Sequence, residues 1–386
     1  MVESWAETVS ATRAPADQRR GQAVTACCLA ASVVGDPAVP RARQARVLMS
    51  CLGVLSAAHP VGEAPTMAVF REGLKGHLED LLPEDLDLSG IGKLKLLDQD
   101  GSFSDEAEDL CGEFLVPTAA LEEHWPWPRV AAEQEERRLF EMLRRLPQGE
   151  YTRLRTELVE RPAGDLRTLR RTWDSLLPQF YEPVARLPGR QLRGWFFLCP
   201  SCRWPMRVLG TGSVVDVRCE AHFRHGVSYS CRTNTPAGEA PRLMPTGEAA
   251  TPVDAQPATS ESFAVSRIAW RYMTLPGLLE CELRNHATGL RADKVVMWPD
   301  RDLYDLAIKL AGKEWFVDAK MWASPRALGE ALRARPPAVP DLVIVIPDHQ
   351  RKDLHLLRQL VEGCGYRIVT ARELKKELAD AAGRTA

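Results

Sequence analysis

The chain has 386 residues, of which 45% are hydrophobic and 26% are charged, and its formal net charge is −2. This length exceeds that of one ordinary domain and predicts two or three, with enough apolar residues to build a sizeable core. A net charge near zero excludes nucleic-acid binding through overall basicity, so any such binding must use a local basic patch.

The N-terminal segment shows no targeting signal. MVESWAETVSATRAPADQRRGQ lacks a basic stretch followed by an apolar core, which a signal peptide requires. The longest weakly polar run, 23–35, is too short to cross a bilayer. A cytoplasmic protein without a membrane segment is therefore predicted. In that compartment six scattered cysteines are expected to be reduced and buried, namely Cys27, Cys28, Cys51, Cys111, Cys281 and Cys364.

The first 190 residues predict a helical region. Apolar residues recur at three- and four-residue spacing in 21–34 and 41–58, and again in 131–147 and 165–187. The last two segments carry arginine-rich outer faces. Such faces could follow a phosphate backbone, although exposed helix faces are usually charged in any case.

The other four cysteines lie close together in the sequence and predict a metal site. A C-x2-C pair is followed after sixteen residues by C-x2-H, which is the spacing of a zinc ribbon. Four such side chains can surround one Zn²⁺ as a tetrahedron and leave no open position for water, so the site would be structural. The predicted module is 191–234, and its ligands are Cys199, Cys202, Cys219 and His222, with Cys231 as the alternative fourth ligand.

Two further segments complete the chain. Residues 235–262 are rich in proline, alanine, glycine and threonine and contain few large apolar side chains, which predicts a linker. Residues 263–386 predict an α/β domain in the order helix, three strands, helix, strand, helix, short strand, helix. The predicted fold class is therefore multidomain, α plus α/β, with no glycine loop for phosphates and no nucleophilic serine motif.

Charged residues interrupt a predicted hairpin in this last domain. A turn at Gly312 and Lys313 would join two strands and place Asp305 opposite Asp318 or Lys320, depending on register. Because side chains alternate along a strand, either register puts these three residues on one face. A buried strand tolerates such charges only where they have a use.

These residue types suit metal-dependent phosphodiester hydrolysis. Asp305 and Asp318 offer the hard oxygen ligands that Mg²⁺ or Mn²⁺ prefers, and Lys320 would orient or help to deprotonate the attacking water. Glu280, on the preceding helix, would complete the metal shell or act through a water. Glu282 lies two residues further on and so faces elsewhere.

At these residues the chain resembles the PD-(D/E)xK, or restriction-endonuclease-like, nuclease superfamily. Asp305, Asp318 and Lys320 match its acid and D-x-K positions, and Glu280 or Glu282 matches its helical acid. More narrowly, the chain looks like the nuclease associated with prokaryotic PIWI-RE systems, through CPSCRWPM, LLECEL, WPDRDLYDLAI and FVDAKMWASPRAL. The resemblance implies a DNA nuclease of a bacterial defence module, acting on DNA or an RNA–DNA hybrid beside a PIWI-like protein and a helicase.

Two alternatives stay open at this stage. Pro299 and Asp300 form a literal "PD" pair, but Asp305 is preferred because Asp300 precedes the hairpin and would lie too far along the sheet. The competing function is a nuclease fold that has lost catalysis and, with its zinc ribbon, binds nucleic acid or assembles a PIWI-RE complex.

Overall fold

The computed structural model describes most of the chain as two compact units. The first unit comprises Met1–Ala131, Trp322–Pro337 and Gln350–Tyr366, and the second comprises Ala132–Met321, Ala338–His349 and Arg367–Ala386. The described residues are 15–88, 91–98, 101–104, 107–108, 110–111, 121, 124, 129–173, 176–187, 189–210, 212–234, 236, 238–322 and 325–383. Most of the segment tested for a signal peptide, 1–14, lies outside them. Within the described ranges, no helix has the length and apolar character needed to cross a membrane.

The first unit is helical. Its helices are Pro15–Gly35, Arg41–Ala58, Met67–Gly73, Pro325–Arg333 and Leu354–Leu360, with a 3-10 turn at Leu78–Leu81. The two long predicted helices are confirmed, and Cys27, Cys28 and Cys51 are buried among their apolar residues. Burial raises the pKa of Cys51 to about 12, so this thiol is unreactive at neutral pH. Cys111 and Cys281 are also buried, whereas Cys364 is partly exposed.

The second unit begins at Ala132, whereas the sequence suggested a division near 190. Two helices, Arg129–Arg144 and Gln148–Glu160, lead into it, followed by Leu166–Trp173 and Leu177–Phe180. Two small antiparallel sheets follow these helices. One has the order β1 (Ala163–Asp165), β9 (Ser262–Val265), β2 (Tyr181–Pro183), and the other pairs β3 (Trp195–Phe197) with β8 (Ala255–Pro257).

A four-stranded antiparallel sheet carries the cysteine-rich segment. Its strands are β4 (Arg207–Leu209), β5 (Val214–Arg218), β6 (Ser228–Arg232) and β7 (Leu243–Pro245). Strands β7 and β8 belong to the segment 235–262, which therefore is not a linker throughout. The sequence prediction missed these strands because each has only three residues and ends in proline, while strand pairing itself uses main-chain N–H and C=O groups.

The last part of the second unit is a five-stranded mixed sheet. In spatial order its strands are β10 (Lys294–Met297), β11 (Leu306–Leu310), β12 (Lys313–Ala319), β13 (Val343–Ile346) and β14 (Arg367–Thr370). The first three are antiparallel neighbours, while β13 and β14 run parallel to β12. Two segments flank the sheet in the chain. The first is a helical stretch formed by Arg267–Ala269, a π turn at Trp270–Thr274 and the helix Leu275–Gly289, and the second is the helix Ala371–Gly383. The predicted element order is confirmed.

The hairpin of β11 and β12 turns at Ala311 and Gly312, one residue earlier than predicted. Both residues have a left-handed backbone, with φ of 53° and 73°, as a two-residue hairpin turn with matching twist requires. Leu306 pairs with Val317, which sets Asp305 opposite Asp318. This is one of the two predicted registers. Leu306, Ile308 and Leu310, at alternate positions along β11, are buried.

Candidate active site and metal-binding cluster

Asp305 occupies a fixed and almost completely buried position next to the hairpin. Its main-chain N–H donates to the carbonyl of Val317 at 3.0 Å, and its carbonyl accepts from the N–H of Trp298 at 2.7 Å. The carboxylate oxygen Oδ2 accepts a hydrogen bond from the N–H of Ala319 at 2.6 Å. Main-chain hydrogen bonds therefore hold this carboxylate beside the end of β12.

Lys320 and Asp318 form a close ion pair on β12 and just beyond its end. The Lys320 ammonium donates to Asp318 Oδ1 at 2.6 Å, and the Lys320 N–H donates to the carbonyl of Val345 at 2.8 Å. Burial lowers the pKa of Lys320, but Asp318 and Asp305 outweigh it and raise that pKa above its ordinary value. Lys320 is thus a cation at neutral pH.

Glu280 lies in the middle of the helix Leu275–Gly289 and is 1% exposed. Its Oε2 accepts a hydrogen bond from the indole N–H of Trp298, and its Oε1 lies 3.6 Å from the Arg155 guanidinium. Glu282, in contrast, is exposed and pairs with Lys375. The structure therefore separates the two glutamates as their helical spacing predicted.

A tight turn before Asp305 carries two more aspartates. In Pro299–Asp302 the backbone is left-handed at Asp300, Arg301 and Asp302, with φ of 51°, 59° and 83°. Asp300 is exposed, whereas the side chain of Asp302 is 11% exposed and its Oδ2 lies 3.1 Å from Arg155. The Asp302 Oδ1 atom is buried and has no hydrogen-bond partner among the described residues.

Neither Asp302 nor Arg155 was identified from the sequence. A signal for Arg155 was present, because it lies four residues after Tyr151 and three before Leu158, both of which are buried. A charged residue on the apolar face of a helix needs a partner. For Asp302 the only signal was its position in the acidic stretch PDRD, where Asp300 alone was considered.

The acids repel one another in this enclosed space. Burial raises the pKa of Asp305 well above its ordinary value, and the charges of Glu280 and Asp318 raise it further. Burial likewise raises the pKa of Glu280, against the lowering effect of Arg155. Asp305 and Glu280 are both buried, and Arg155 and Trp298 contact the Glu280 carboxylate.

Carboxylates outnumber the cations in this part of the structure. Glu280, Asp302, Asp305 and Asp318 lie around two cations, the buried Arg155 and Lys320, whose side chain is 31% exposed. A third cation, Arg144, approaches Asp302 at 3.9 Å from a half-exposed position, where water screens it. Carboxylate oxygens are the donors that a hard ion such as Mg²⁺ or Mn²⁺ prefers. Among the described residues, however, the group of three or more histidine, cysteine, aspartate or glutamate side chains whose ligand atoms lie close enough together for a metal ion is the cysteine–histidine cluster described below.

Comparison with known proteins gives one family. Residues 277–386 match the model of a family described as "REase associating with pPIWI_RE", which is less than a third of the chain. No curated protein and no solved structure gives a significant match. These residues form a restriction-endonuclease-like domain. The resemblance inferred from the sequence is confirmed, and the matched region of the domain includes Glu280, Asp305, Asp318 and Lys320.

A buried cysteine–histidine cluster lies outside the matched part of the restriction-endonuclease-like domain. The ligand atoms of Cys199, Cys202, Cys219 and His222 all lie within 4.8 Å of one another, and this group could hold a metal ion. The Sγ atoms of Cys202 and Cys219 are 3.7 Å apart, and His222 Nδ1 lies 3.3 Å from Cys219 Sγ. Burial raises the pKa of Cys202 to about 12.

Cys231, the alternative fourth ligand, lies elsewhere. It is on β6, and its sulfur lies 3.6 Å from the carbonyl oxygen of Arg232. His222 takes the fourth place because the N–H of Phe223 bonds to the carbonyl of Cys219 at 2.9 Å, which folds the C-x2-H segment back on itself. The structure thus brings together four of the five predicted ligands.

The cluster packs against the segment that precedes the restriction-endonuclease-like domain. Trp204, which follows the C-x2-C turn, stacks on Trp270 with ring centroids 4.2 Å apart, and its indole N–H donates to the carbonyl of Val265 at 2.9 Å. Both tryptophans are buried. The cluster is therefore packed into the same core as the helix that carries Glu280.

Proposed function

We propose that the chain is a metal-dependent DNA endonuclease of a prokaryotic defence system. In this proposal, phosphodiester hydrolysis takes place at Asp305, Asp318 and Lys320. The supporting observation is that, inside a restriction-endonuclease-like domain, the hairpin register sets the two aspartates opposite each other with Lys320 beside them.

Asp305 and Asp318 would hold Mg²⁺ or Mn²⁺ through their carboxylate oxygens. When bound, such an ion stabilises the negative charge that builds up on the phosphate in the transition state. Asp305 is suited to this task because a hydrogen bond from the main chain fixes its carboxylate, while the side chain of Asp318 is 17% exposed. The Lys320 ammonium now bonded to Asp318 would then become available to other partners.

Lys320 would act as a cation rather than as a resting base. Its pKa lies above the ordinary value, so a proton stays on its Nζ at neutral pH. A protonated amine 31% exposed at the edge of the site can donate hydrogen bonds to the phosphate and orient the attacking water. The contacts favour this orienting role over deprotonation of the water.

Glu280 would have an indirect role in the site. Both of its oxygens are engaged, one by Trp298 and the other by Arg155, which leaves less freedom for direct contact with an ion. Of the two roles predicted for Glu280, completion of the metal shell is therefore the less favoured.

The partners follow from the family description. Because the matched family is described as associating with pPIWI_RE, we place this chain beside a PIWI-like protein, and the sequence resemblance adds a helicase of the same module. A PIWI-like partner would present DNA or an RNA–DNA hybrid as the substrate.

A cleavage assay tests the proposed function. The purified full chain is incubated with plasmid, single-stranded DNA, an RNA–DNA hybrid and RNA, with and without the proteins of its module. Cleavage of at least one DNA-containing substrate is expected with Mg²⁺ or Mn²⁺, and chelation by EDTA should stop it. Persistent absence of cleavage under all these conditions would favour the non-catalytic assembly subunit instead.

We further propose that Cys199, Cys202, Cys219 and His222 hold one structural Zn²⁺. Three thiolates and an imidazole nitrogen are soft and borderline donors of the kind that Zn²⁺ prefers, and four protein ligands close the site. The burial of all three thiols fits a structural role, because a catalytic zinc keeps an open position for water.

Cys219→Ser should destabilise the protein strongly, whereas Cys364→Ser should have little effect. Removal of one ligand from a closed zinc site forfeits much of the metal's contribution to folding. Elemental analysis should find about one zinc per chain in the wild type and in Cys364→Ser, and much less in Cys219→Ser. A reduced, folded wild-type preparation without zinc would remove this site from the account.

A further inference from the structure

A fully buried arginine reaches the acidic site from outside the matched residues 277–386. Arg155 belongs to the helix Gln148–Glu160, and its side chain is 3% exposed. One terminal nitrogen lies 3.6 Å from Glu280 Oε1, and the other lies 3.1 Å from Asp302 Oδ2. Its guanidinium carbon lies 4.9 Å from the ring centre of Trp298. One planar group thus contacts two acids and the indole that itself bonds to Glu280.

Stability alone does not account for this arrangement. Removing a guanidinium and two carboxylates from water is costly, and replacing a buried ion pair with apolar residues of similar volume is often neutral or stabilising. Asp302 Oδ1 and Arg155 Nε are moreover buried without hydrogen-bond partners among the described residues. An incompletely satisfied charge cluster next to Asp305 is better explained by the site that it supports.

The same helix holds the strained turn that leads to Asp305. Gln148 donates to the carbonyl of Trp298 at 2.9 Å and accepts from the N–H of Arg301 at 2.9 Å. Consecutive left-handed residues without glycine persist only where surrounding contacts enforce them. Arg155 supplies such a contact through Asp302.

We infer that Arg155 is a positioning residue of the nuclease site. It fixes the carboxylate of Glu280 and, through Asp302, the turn before Asp305, so that these acids are in place when a divalent cation binds. This inference rests on the proposed function. It also means that the residue completing the site comes from 148–160, a segment that the family match does not include.

Kinetics of the full chain separate positioning from substrate binding. Arg155→Met should lower kcat about 10²-fold, because small displacements of catalytic groups cost factors of this size. The KM for DNA should stay unchanged, since a side chain this deeply buried cannot touch DNA. Arg155→Lys should restore part of kcat. Arg153→Met, on the same helix but half exposed, is the matched control and should keep the wild-type kcat.

Mn²⁺ binding and thermal unfolding provide readouts that do not depend on cleavage. In zinc-replete protein, calorimetry should show that Arg155→Met weakens Mn²⁺ binding about 10- to 100-fold, the usual effect of removing a group that orients metal ligands. Its Tm should fall by on the order of 10 °C, because Glu280 is left buried and unpaired. Arg155→Met/Glu280→Gln should recover most of that Tm.

The double variant also keeps the inference testable where Arg155→Met alone does not fold. Residues that act as one unit have non-additive effects, so the double variant should bind Mn²⁺ about as weakly as Glu280→Gln does. Wild-type Mn²⁺ affinity in a folded Arg155→Met, or additive losses in the double variant, would overturn the inference. A wild-type chain that cleaves no substrate would refute the proposed function, while Mn²⁺ affinity and Tm would still decide the role of Arg155.

Discussion

Asp318→Ala is expected to abolish cleavage while leaving the fold nearly intact. The variant removes one of the two carboxylates proposed to hold the catalytic ion, and no neighbouring acid on β12 can replace it. The fold should tolerate the change because Lys320, the ion-pair partner, is 31% exposed and can turn to water. Cleavage of the preferred DNA substrate, together with circular dichroism and Tm, measures both effects.

Two further variants serve as comparisons for Asp318→Ala. Lys320→Ala should slow cleavage about 10²- to 10⁴-fold without removing Mn²⁺ binding, because it takes away a positioned cation rather than a metal ligand. Asp300→Asn should leave the rate of cleavage nearly unchanged, since Asp300 is exposed and lies in the turn before the site. Wild-type cleavage by both Asp318→Ala and Lys320→Ala would reduce their contact to a simple salt bridge and end the nuclease proposal.

Asp305→Asn should abolish cleavage and yet raise thermal stability in the absence of divalent cations. Burial and the charges of Glu280 and Asp318 raise the pKa of Asp305, so its ionised form opposes folding at neutral pH. Asparagine removes that charge, and its side-chain oxygen can still accept the N–H of Ala319. A rise on the order of a few °C in Tm is expected.

The pH dependence of that gain has a definite sign. The raised pKa makes the wild type lose stability as pH rises from the ordinary aspartate range, near 4, up through the folded-state value. The Tm difference between Asp305→Asn and the wild type should therefore be small near pH 4 and grow toward neutral pH. Mg²⁺ should close the gap by stabilising only the wild type. A variant less stable than the metal-free wild type at every pH would contradict this reading.

Local sequence signals were sufficient to predict the hairpin and the placement of its aspartates. The alternation of charged and apolar residues in WFVDAKMW determines which side chains share a face, and a two-residue turn leaves only two registers that bring Asp305 to Asp318 or Lys320. Likewise, the C-x2-C and C-x2-H pairs are local, so their convergence could be predicted. The choice between His222 and Cys231 depended on how β5 and β6 pair, which spacing does not determine.

The groups around the acids could not be predicted in the same way. Arg155 lies 125 residues before Glu280 in the chain, and only tertiary packing brings them together. Asp302 depends on a left-handed turn that contains no glycine, so composition gave no sign of it. Strands β7 and β8 have only three residues each and end in proline, so neither shows the alternating pattern on which strand prediction relies.

Anomalous scattering from a crystal soaked in Mn²⁺ would locate the proposed catalytic ion. One Mn²⁺ peak is expected between the carboxylates of Asp305 and Asp318, at about 2 Å from an oxygen of each, with the Lys320 ammonium displaced from Asp318. An Asp318→Ala crystal treated identically should lack that peak. A wild-type crystal with no Mn²⁺ at these two aspartates, and with Lys320 still bonded to Asp318, would contradict the proposed metal site.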